Sequence, residues 1–242
     1  MIRVEQATEP VDFDRKVRTP GLRAIAEMTG APALPKRRGR PREVIASAPD
    51  EIPADKFPSL WTEALPELLE AYGRVCAYMS FYIERVTGAA SVDHMLPKSV
   101  NWQEIYEWRN YRLACSLMNS RKNAYRDVLD PFEIDNSWFR MELIGYQVIP
   151  DPDLPADIRE KVEATIERLK LNDYECLKLR EEYAREFYLG DISQDRLRRR
   201  APFLAREIER HEAGNLGQLN LDSPAVLPAL REQRGQSNQS DV

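Results

Sequence analysis

The pattern of apolar and polar residues changes several times along the chain. From residue 60 to 75 the apolar positions recur at steps of three and four, which predicts an amphipathic helix in spite of Pro66. If Pro66 delays its start, Thr62 is a plausible N-cap. Residues 1–58 show many prolines and little periodicity, so they predict an extended arm that docks on the rest, with one short helix over 21–29.

A strand-rich pattern follows in the centre of the chain. After a break at residues 88–90, two short apolar segments at 91–95 and 111–115 predict a pair of strands joined by a polar loop. Residues 119–128 are polar, basic and helical in spacing, and this helix should end at Asp130-Pro131, because a residue before proline avoids the helical region. The predicted order is strand, loop, strand, helix.

The last part of the chain has helical spacing. Residues 156–171 and 174–188 predict a helical hairpin with Asp173 as the cap of its second helix, and residues 193–211 predict a further helix. The fold class is therefore α+β and mostly helical, with a small strand-strand-helix core surrounded by helices. The predicted parts are the arm with a basic linker (1–58), the core (59–135), a helical C-terminal region (136–213) and a disordered tail (214–242).

Composition places the chain among ordinary globular proteins. Of 242 residues, 43% are hydrophobic and 31% charged, which is enough to bury a core. The longest apolar run, residues 75–83, is far shorter than the ~20 residues that cross a bilayer, and the N-terminus lacks a secretory apolar region. We therefore expect no membrane span and a cytoplasmic location. The odd number of widely spaced cysteines, three, favours reduced thiols.

Charge is unevenly distributed. The chain carries a net charge of −5, but residues 36–42 hold five basic and no acidic residues, and residues 94–127 hold six basic against three acidic. Such patches suit contact with phosphate at one place, although a solvated face is the alternative interpretation.

Residues 91–125 contain the groups that phosphodiester hydrolysis needs, namely a base, a hard-cation site and positive charge. His94 is the natural base, and the oxygens of Asp93 and Asn119 are ligands that Mg²⁺ accepts. Side chains of adjacent strand residues point to opposite faces, so Asp93 and His94 share a site only if the strand ends there in a turn or bulge, which Pro97 favours.

Three segments carry a resemblance to a known family. D-H-x-x-P-K-S from Asp93, W-x-N-Y-R-L-A-C from Trp108 and M-N-S-x-K from Met118 resemble the HNH endonucleases, in particular those of bacterial anti-phage and retron-associated operons such as the Septu nuclease subunit. The match covers about residues 72–134, and the opening MIRVEQATEP is also similar. The resemblance implies a ββα-metal fold, cleavage of DNA and an ATPase partner.

The resemblance also implies roles for individual residues. His94 would be the general base, Asp93 and Asn119 would bind Mg²⁺ or Mn²⁺, Asn110 would hold the loop that presents His94, and Lys122 would contact phosphate. Further candidate nucleic-acid contacts are Lys98, Arg121, Arg38 and Arg40; the last two lie in an R-G-R-P segment that resembles an AT-hook core, with a flexible basic linker as the alternative.

The chain departs from many members of this family at two C-x-x-C pairs that bind structural zinc. Here the pairs read Cys76-Ala-Tyr-Met79 and Cys115-Ser-Leu-Met118. Since thioether is a poor zinc ligand, we expect no structural zinc and apolar packing of these four residues instead. Aromatic support would come from Tyr78, Phe81 and Tyr82.

Other conspicuous residues have ordinary interpretations. His211 predicts a solvated helix end, and Cys176 predicts helix packing. The basic run of Arg196 and residues 198–200 suits a solvated surface or a partner contact as well as DNA. The sequence therefore predicts a metal-dependent HNH endonuclease acting on DNA, with two alternatives: a non-catalytic DNA-binding scaffold on a degenerate core, and an RNA-cleaving toxin.

Overall fold

A computed structural model describes residues 1–32 and 39–216, the side chains of 214–216 excepted. Over these ranges the protein is α+β, with seven α-helices and two antiparallel sheets of two strands each. This confirms the predicted class. No helix in the described ranges is long and apolar enough to cross a membrane.

The described chain divides into two compact units. The central unit consists of Val4–Tyr78 and Ile83–Glu133, and the C-terminal unit consists of Met1–Arg3, Met79–Tyr82 and the described residues from Ile134 onward. The described part of the arm from Val4 onward and the first sheet therefore belong to the same unit.

The arm of the central unit is partly helical. A π-helical turn, Asp14–Arg18, continues directly into α1, Thr19–Met28, which confirms the predicted short helix with a start two residues earlier. A Cβ atom on Gly21 would lie 2.3 Å from the ring of Tyr106, so glycine lets α1 pack directly on that ring. This contact fastens the arm to the loop between the strands.

The helix predicted over residues 60–75 is shorter and begins later. A 3₁₀ turn, Leu60–Ala64, precedes α2, Leu65–Ala71, and Pro66 lies in the first turn of α2, where its missing N–H is not needed. The N-cap is Ala64, so the prediction of Thr62 as the cap is wrong; the Thr62 hydroxyl donates to the carbonyl of Ser59 instead, at 2.6 Å.

Two strands form the sheet of the central unit. β1, Ala90–His94, pairs antiparallel with β2, Tyr111–Cys115, which confirms the predicted pair with a shift of one residue in β1. His94 lies opposite Tyr111, and Asp93 lies opposite Arg112.

The helix after β2 is present, but its predicted ends are wrong. α3, Ser116–Lys122, follows β2 without a loop, so Asn119 lies one turn inside the helix and does not open it. The helix ends at Lys122, well before Asp130-Pro131, because the next residue, Asn123, has a φ of +46° that cannot continue it.

The C-terminal unit is mainly helical. A short sheet that the sequence did not predict pairs β3, Phe139–Met141, with β4, Val148–Pro150. The predicted hairpin is confirmed as α4, Ala156–Leu169, and α5, Tyr174–Leu189, and the carboxylate of Asp173 caps α5 by accepting from the N–H of Cys176 at 2.9 Å.

The last predicted helix is two helices. α6, Gln194–Arg200, ends at Ala201, where the residue before Pro202 leaves the helical region, and α7, Pro202–Leu216, begins at that proline. The predicted disordered tail begins at 214, within α7, and its residues 217–242 lie outside the described residues.

Candidate active site

His94 ends β1 and is 8% exposed. Its Nε2 lies 2.9 Å from the carbonyl oxygen of Ile105. Because a carbonyl oxygen only accepts hydrogen bonds, Nε2 must carry the proton, which leaves the lone pair on Nδ1. The Tyr111 hydroxyl donates to the same carbonyl at 2.8 Å, so that oxygen is fixed from two sides.

Two aromatic rings pack edge-on against the imidazole. The Trp61 ring centroid lies 4.8 Å away and that of Tyr111 5.2 Å away. The pKa of His94 is lowered to about 3, mainly by burial; the hydrogen bond to the Ile105 carbonyl opposes this shift, and the positive charges of Lys98 and Lys122 add to it. The histidine is therefore neutral at working pH, in the form that can accept a proton.

Asn110 ties together the loop between β1 and β2. Its amide nitrogen donates to the carbonyls of Leu96, at 3.1 Å, and Glu104, at 3.0 Å, and its oxygen accepts from the N–H of Leu96 at 2.7 Å. Asn110 is 3% exposed. Since Glu104 immediately precedes Ile105, these bonds fix the segment whose carbonyl holds His94.

Asp93 lies on the opposite face of β1 from His94. The register continues through both residues, so the turn or bulge that would bring their side chains together does not occur. The Tyr78 hydroxyl donates to Oδ2 at 2.5 Å, and Lys122 Nζ lies 3.3 Å from Oδ1 and 3.2 Å from Oδ2. The expectation that a turn or bulge brings Asp93 and His94 into one site is therefore wrong.

Lys122 bridges α3 and β1. Its ammonium is completely buried, and it donates to the carbonyl of His94 at 2.7 Å as well as to Asp93. Burial raises the pKa of Asp93, against the opposing effects of Lys122 and the Tyr78 hydroxyl. Three oxygen atoms, two from Asp93 and one from His94, thus surround one cation.

Asn119 lies on the same side of β1 as Asp93. Its amide nitrogen donates to Ser91 Oγ at 3.2 Å and to the carbonyl of Val92 at 3.4 Å. The structure therefore places Asp93, Asn119 and Lys122 between α3 and β1, and places His94 and its loop on the other face.

The oxygen atoms of Asp93 and of the His94 carbonyl that surround Lys122 Nζ are ligands of the kind that a hard cation accepts. Within the described ranges, no group of three or more His, Cys, Asp and Glu residues could hold a metal ion. A divalent ion on Asp93 and Asn119 would therefore complete its shell with water and phosphate, and it would have to displace the ammonium from Asp93.

The candidate phosphate contacts lie in different places. Lys98 Nζ sits 4.3 Å from the centroid of the Trp61 ring, near His94, whereas Arg121 is half-buried on α3. Arg40 is exposed on the arm, and Arg38 lies outside the described residues. The positive charge of Lys98 lowers the pKa of His94.

Three of the four residues of the C-x-x-M pairs are buried, and Cys115 is half-buried. The sulfur of Met79 accepts from a buried arginine, Arg180, at 3.9 Å, within the C-terminal unit. The three aromatic residues expected to support these pairs have different partners. Tyr78 donates to Asp93, Phe81 packs on Tyr183, and the Arg200 guanidinium lies over the ring of Tyr82. Apolar burial is confirmed for Cys76, Met79 and Met118, and the expectation of no zinc stays a prediction.

Tyr78 and Trp61 contact the candidate site residues Asp93 and His94, although their positions in the sequence predict no such role. Tyr78 lies inside the first C-x-x-M pair, where it was expected only to support packing, and Trp61 lies among the apolar residues of the predicted helix. Tyr78 and Asp93 are 15 positions apart in the sequence, and Trp61 and His94 are farther apart still. Local residue spacing therefore does not predict either contact. The prediction for Cys176 is confirmed, since it is buried in α5; His211 is exposed as predicted, but α7 continues past it to Leu216.

No protein-family model matches the chain, and no curated protein matches it.

Proposed function

We propose that the central unit is an HNH-type endonuclease that hydrolyses DNA phosphodiester bonds with Mg²⁺ or Mn²⁺. The observation that carries the proposal is the state of His94, a neutral histidine with Nε2 held by a backbone carbonyl and Nδ1 left with the lone pair. A general base needs an imidazole nitrogen with a free lone pair in a fixed orientation.

The residues of the loop act together in this proposal. His94 Nδ1 takes a proton from the attacking water, and the carbonyl of Ile105 stabilises the positive imidazole that results through its bond to Nε2. Asn110 keeps that carbonyl in place. An anionic phosphate beside the ring would raise the pKa of His94 and make it a stronger base than it is in the substrate-free protein.

The other face of β1 supplies charge. A bound divalent ion, held by Asp93 and Asn119, would stabilise negative charge on the phosphate. If such an ion displaced Lys122 from Asp93, the ammonium would keep its bond to the His94 carbonyl, and its positive charge would favour the anionic phosphate. Lys98 adds positive charge on the His94 side.

The biological role follows from the resemblance of the D-H, W-x-N and M-N-S motifs. We propose an effector nuclease of a bacterial anti-phage system that acts in the cytoplasm with an ATPase partner. The net charge of −5 supports a need for such a partner, because the chain as a whole repels DNA.

Plasmid cleavage by the purified protein tests the activity. We expect nicking or linearisation that requires Mg²⁺ or Mn²⁺, and His94→Ala should lower the rate by about 10²–10⁴-fold because a general base contributes that much. His211→Ala, on an exposed helix position, is the matched control and should cut like the wild type. Equal cutting by the His94 variant would rule out this site.

A second function has one observation in its favour. The Asp93 carboxylate is 2% exposed and already bound by Tyr78 and Lys122, which suits a DNA-binding scaffold that has lost catalysis. A scaffold would bind DNA equally well with His94→Ala and would not cut it with either metal. Parallel assays with RNA distinguish a toxin that cleaves RNA from a nuclease that acts on DNA.

A further inference from the structure

Two thiols lie next to each other at the junction of β2 and α3. Cys115 is the last residue of β2, and its N–H donates to the sulfur of Cys76 at 3.4 Å, although the two residues are 39 positions apart. The Cys115 thiol also hydrogen-bonds to Cys76. The two sulfur atoms are therefore direct neighbours in the reduced protein.

Backbone hydrogen bonds hold both cysteines in place. The N–H of Ala77 donates to the carbonyl of Leu113 at 2.8 Å, which fixes the Cys76 segment alongside β2. The N–H of Ser116 donates to the carbonyl of Ala89 at 2.8 Å, which fixes the end of β2 beside β1. The backbone of the sheet thus keeps the two thiols close together, and their proximity does not depend on side-chain rotation alone.

The two sulfurs differ in reactivity and access. The hydrogen bond from Cys76, together with the N–H groups of Met118 and Leu117, lowers the pKa of Cys115 to about 6. Cys115 is half-buried, whereas Cys76 is 1% exposed. Cys115 is therefore the sulfur that a small reagent meets first, as a thiolate, and Cys76 is the thiol behind it.

We propose that Cys76 and Cys115 form an oxidisable dithiol that a small peroxide converts to a disulfide. The Cys115 thiolate attacks one peroxide oxygen, the O–O bond breaks, and hydroxide leaves and takes up a proton as water, which makes Cys115 a sulfenic acid. Cys76 then loses its proton and attacks the Cys115 sulfur, the S–S bond forms, the S–O bond breaks, and a second water leaves. The two thiols give up two electrons in total, and the peroxide accepts them.

The disulfide would constrain α3, the helix that contributes residues to the candidate site. Cys115 immediately precedes α3, and Asn119 and Lys122 lie within that helix. A disulfide would tie the first turn of α3 to the segment after α2. The proposal itself does not depend on nuclease activity, since the reaction involves only the two thiols and the peroxide.

Mass and thiol content test the reaction directly. Reduced full-length protein would be treated with hydrogen peroxide at neutral pH, and we expect its intact mass to fall by about 2 Da, the mass of two hydrogen atoms, as the disulfide forms. Of the three thiols, the one on Cys176 should remain, because that residue is buried in α5 of the other unit. Peptide mapping should find the Cys76–Cys115 link, and dithiothreitol should restore all three thiols.

Single variants assign the two roles. In Cys76→Ser the peroxide should leave a sulfenic acid on Cys115 that dimedone traps. In Cys76→Ala, which removes the hydrogen-bond donor, the pH at which Cys115 alkylates at half its maximal rate should rise from about 6 towards the ordinary cysteine value near 8.5. Cys115→Ser should give no disulfide, and Cys176→Ser should behave as wild type. Circular dichroism checks that each variant is folded.

Three results would overturn the proposal. They are a peroxide product with no Cys76–Cys115 link, oxidation of Cys176 at the same rate as Cys115, and a disulfide that joins two molecules. Plasmid cleavage is measured separately on the reduced protein, so failure of the nuclease proposal leaves this test unaffected.

Discussion

At the scale of single residues, His94 combines two effects of burial. The ring is removed from water by Trp61 and Tyr111, and its Nε2 is committed to the Ile105 carbonyl. The first effect keeps the histidine neutral, and the second selects which nitrogen carries the proton. The same environment makes the stability of the protein depend on pH.

We predict a loss of stability on acidification that depends on His94. Its pKa falls from an ordinary 6.5 to about 3 in the folded protein, so the unfolded state binds the extra proton first. Stability is therefore fully present above pH 6.5 and falls as the pH drops, by about 1.4 kcal/mol per pH unit between roughly pH 6 and 5. Urea unfolding across this range should show the slope in wild type and in His211→Gln, and a flatter slope in His94→Gln; equal slopes in all three would contradict it.

A second prediction concerns the cation on Asp93. Replacing Lys122 by Met removes the ammonium that a metal must displace, so Mn²⁺ should bind at least about tenfold more tightly, which corresponds to about 1.4 kcal/mol of lost competition. Electron paramagnetic resonance of unbound Mn²⁺ measures the affinity without DNA. Lys98→Met, on the other face of β1, should leave the affinity unchanged, and Asp93→Asn should abolish binding. Weaker binding by a folded Lys122→Met protein would show that Lys122 does not compete.

At the scale of elements, the loop between β1 and β2 is a structural part of the site. It contains two 3₁₀ turns, Trp102–Glu104 and Trp108–Asn110, and Asn110 closes it with three hydrogen bonds. The position of Ile105, and with it the orientation of His94, depends on this closure.

Asn110→Asp tests the closure. The aspartate keeps the acceptor for the N–H of Leu96 but cannot donate to the carbonyls of Leu96 and Glu104, so the loop should loosen and cleavage should fall by about 10²-fold, the usual cost of a displaced catalytic group. Mn²⁺ affinity should not change. Asn101→Asp is the matched control in the same loop, because Asn101 only accepts, from the N–H of Gln103. Equal losses in both variants would point to general destabilisation.

The elements also show how far sequence reasoning reaches. β2 and the cap at Asp173 are predicted correctly because they depend on local apolar spacing and local capping. The C-terminal end of α3 is not predicted, because it depends on the positive φ of Asn123, which spacing does not encode. β3 and β4 have three residues each, too short for a visible alternation. At the site, the role of Asn110 in holding the loop beside His94 is implied by the resemblance of the motifs, whereas the hydrogen bond from Tyr78 to Asp93 comes only from the fold.

At the scale of the whole molecule, the arm is part of the central unit's core. Phe13 is 2% exposed and packs edge-on against Trp108, at 5.6 Å, and Tyr111, at 5.8 Å. The indole of Trp108 donates to the carbonyl of Ala7 at 2.8 Å. Tyr111 in turn packs on His94, so the arm supports the candidate site through one aromatic ring.

We predict that Phe13→Ala destabilises the protein by about 3–5 kcal/mol, the usual cost of removing a buried phenylalanine ring. Urea denaturation followed by circular dichroism measures the change in the free energy of unfolding. Val11→Ala, at a fully exposed position of the same arm, should change it by less than about 0.5 kcal/mol. A small effect of Phe13→Ala would mean that the arm is not needed for folding of the unit.

The indole of Trp61 lies edge-on to the His94 ring on one side, and its face meets the Lys98 ammonium. Tryptophan fluorescence is quenched by a nearby protonated imidazole and shifts in wavelength when the ring becomes hydrated. The protein therefore carries an intrinsic optical probe at its candidate base. Ligand binding and proton uptake at His94 should therefore change the tryptophan emission without any attached dye. The contribution of Trp61 is the difference in emission between the wild type and a Trp61→Phe variant.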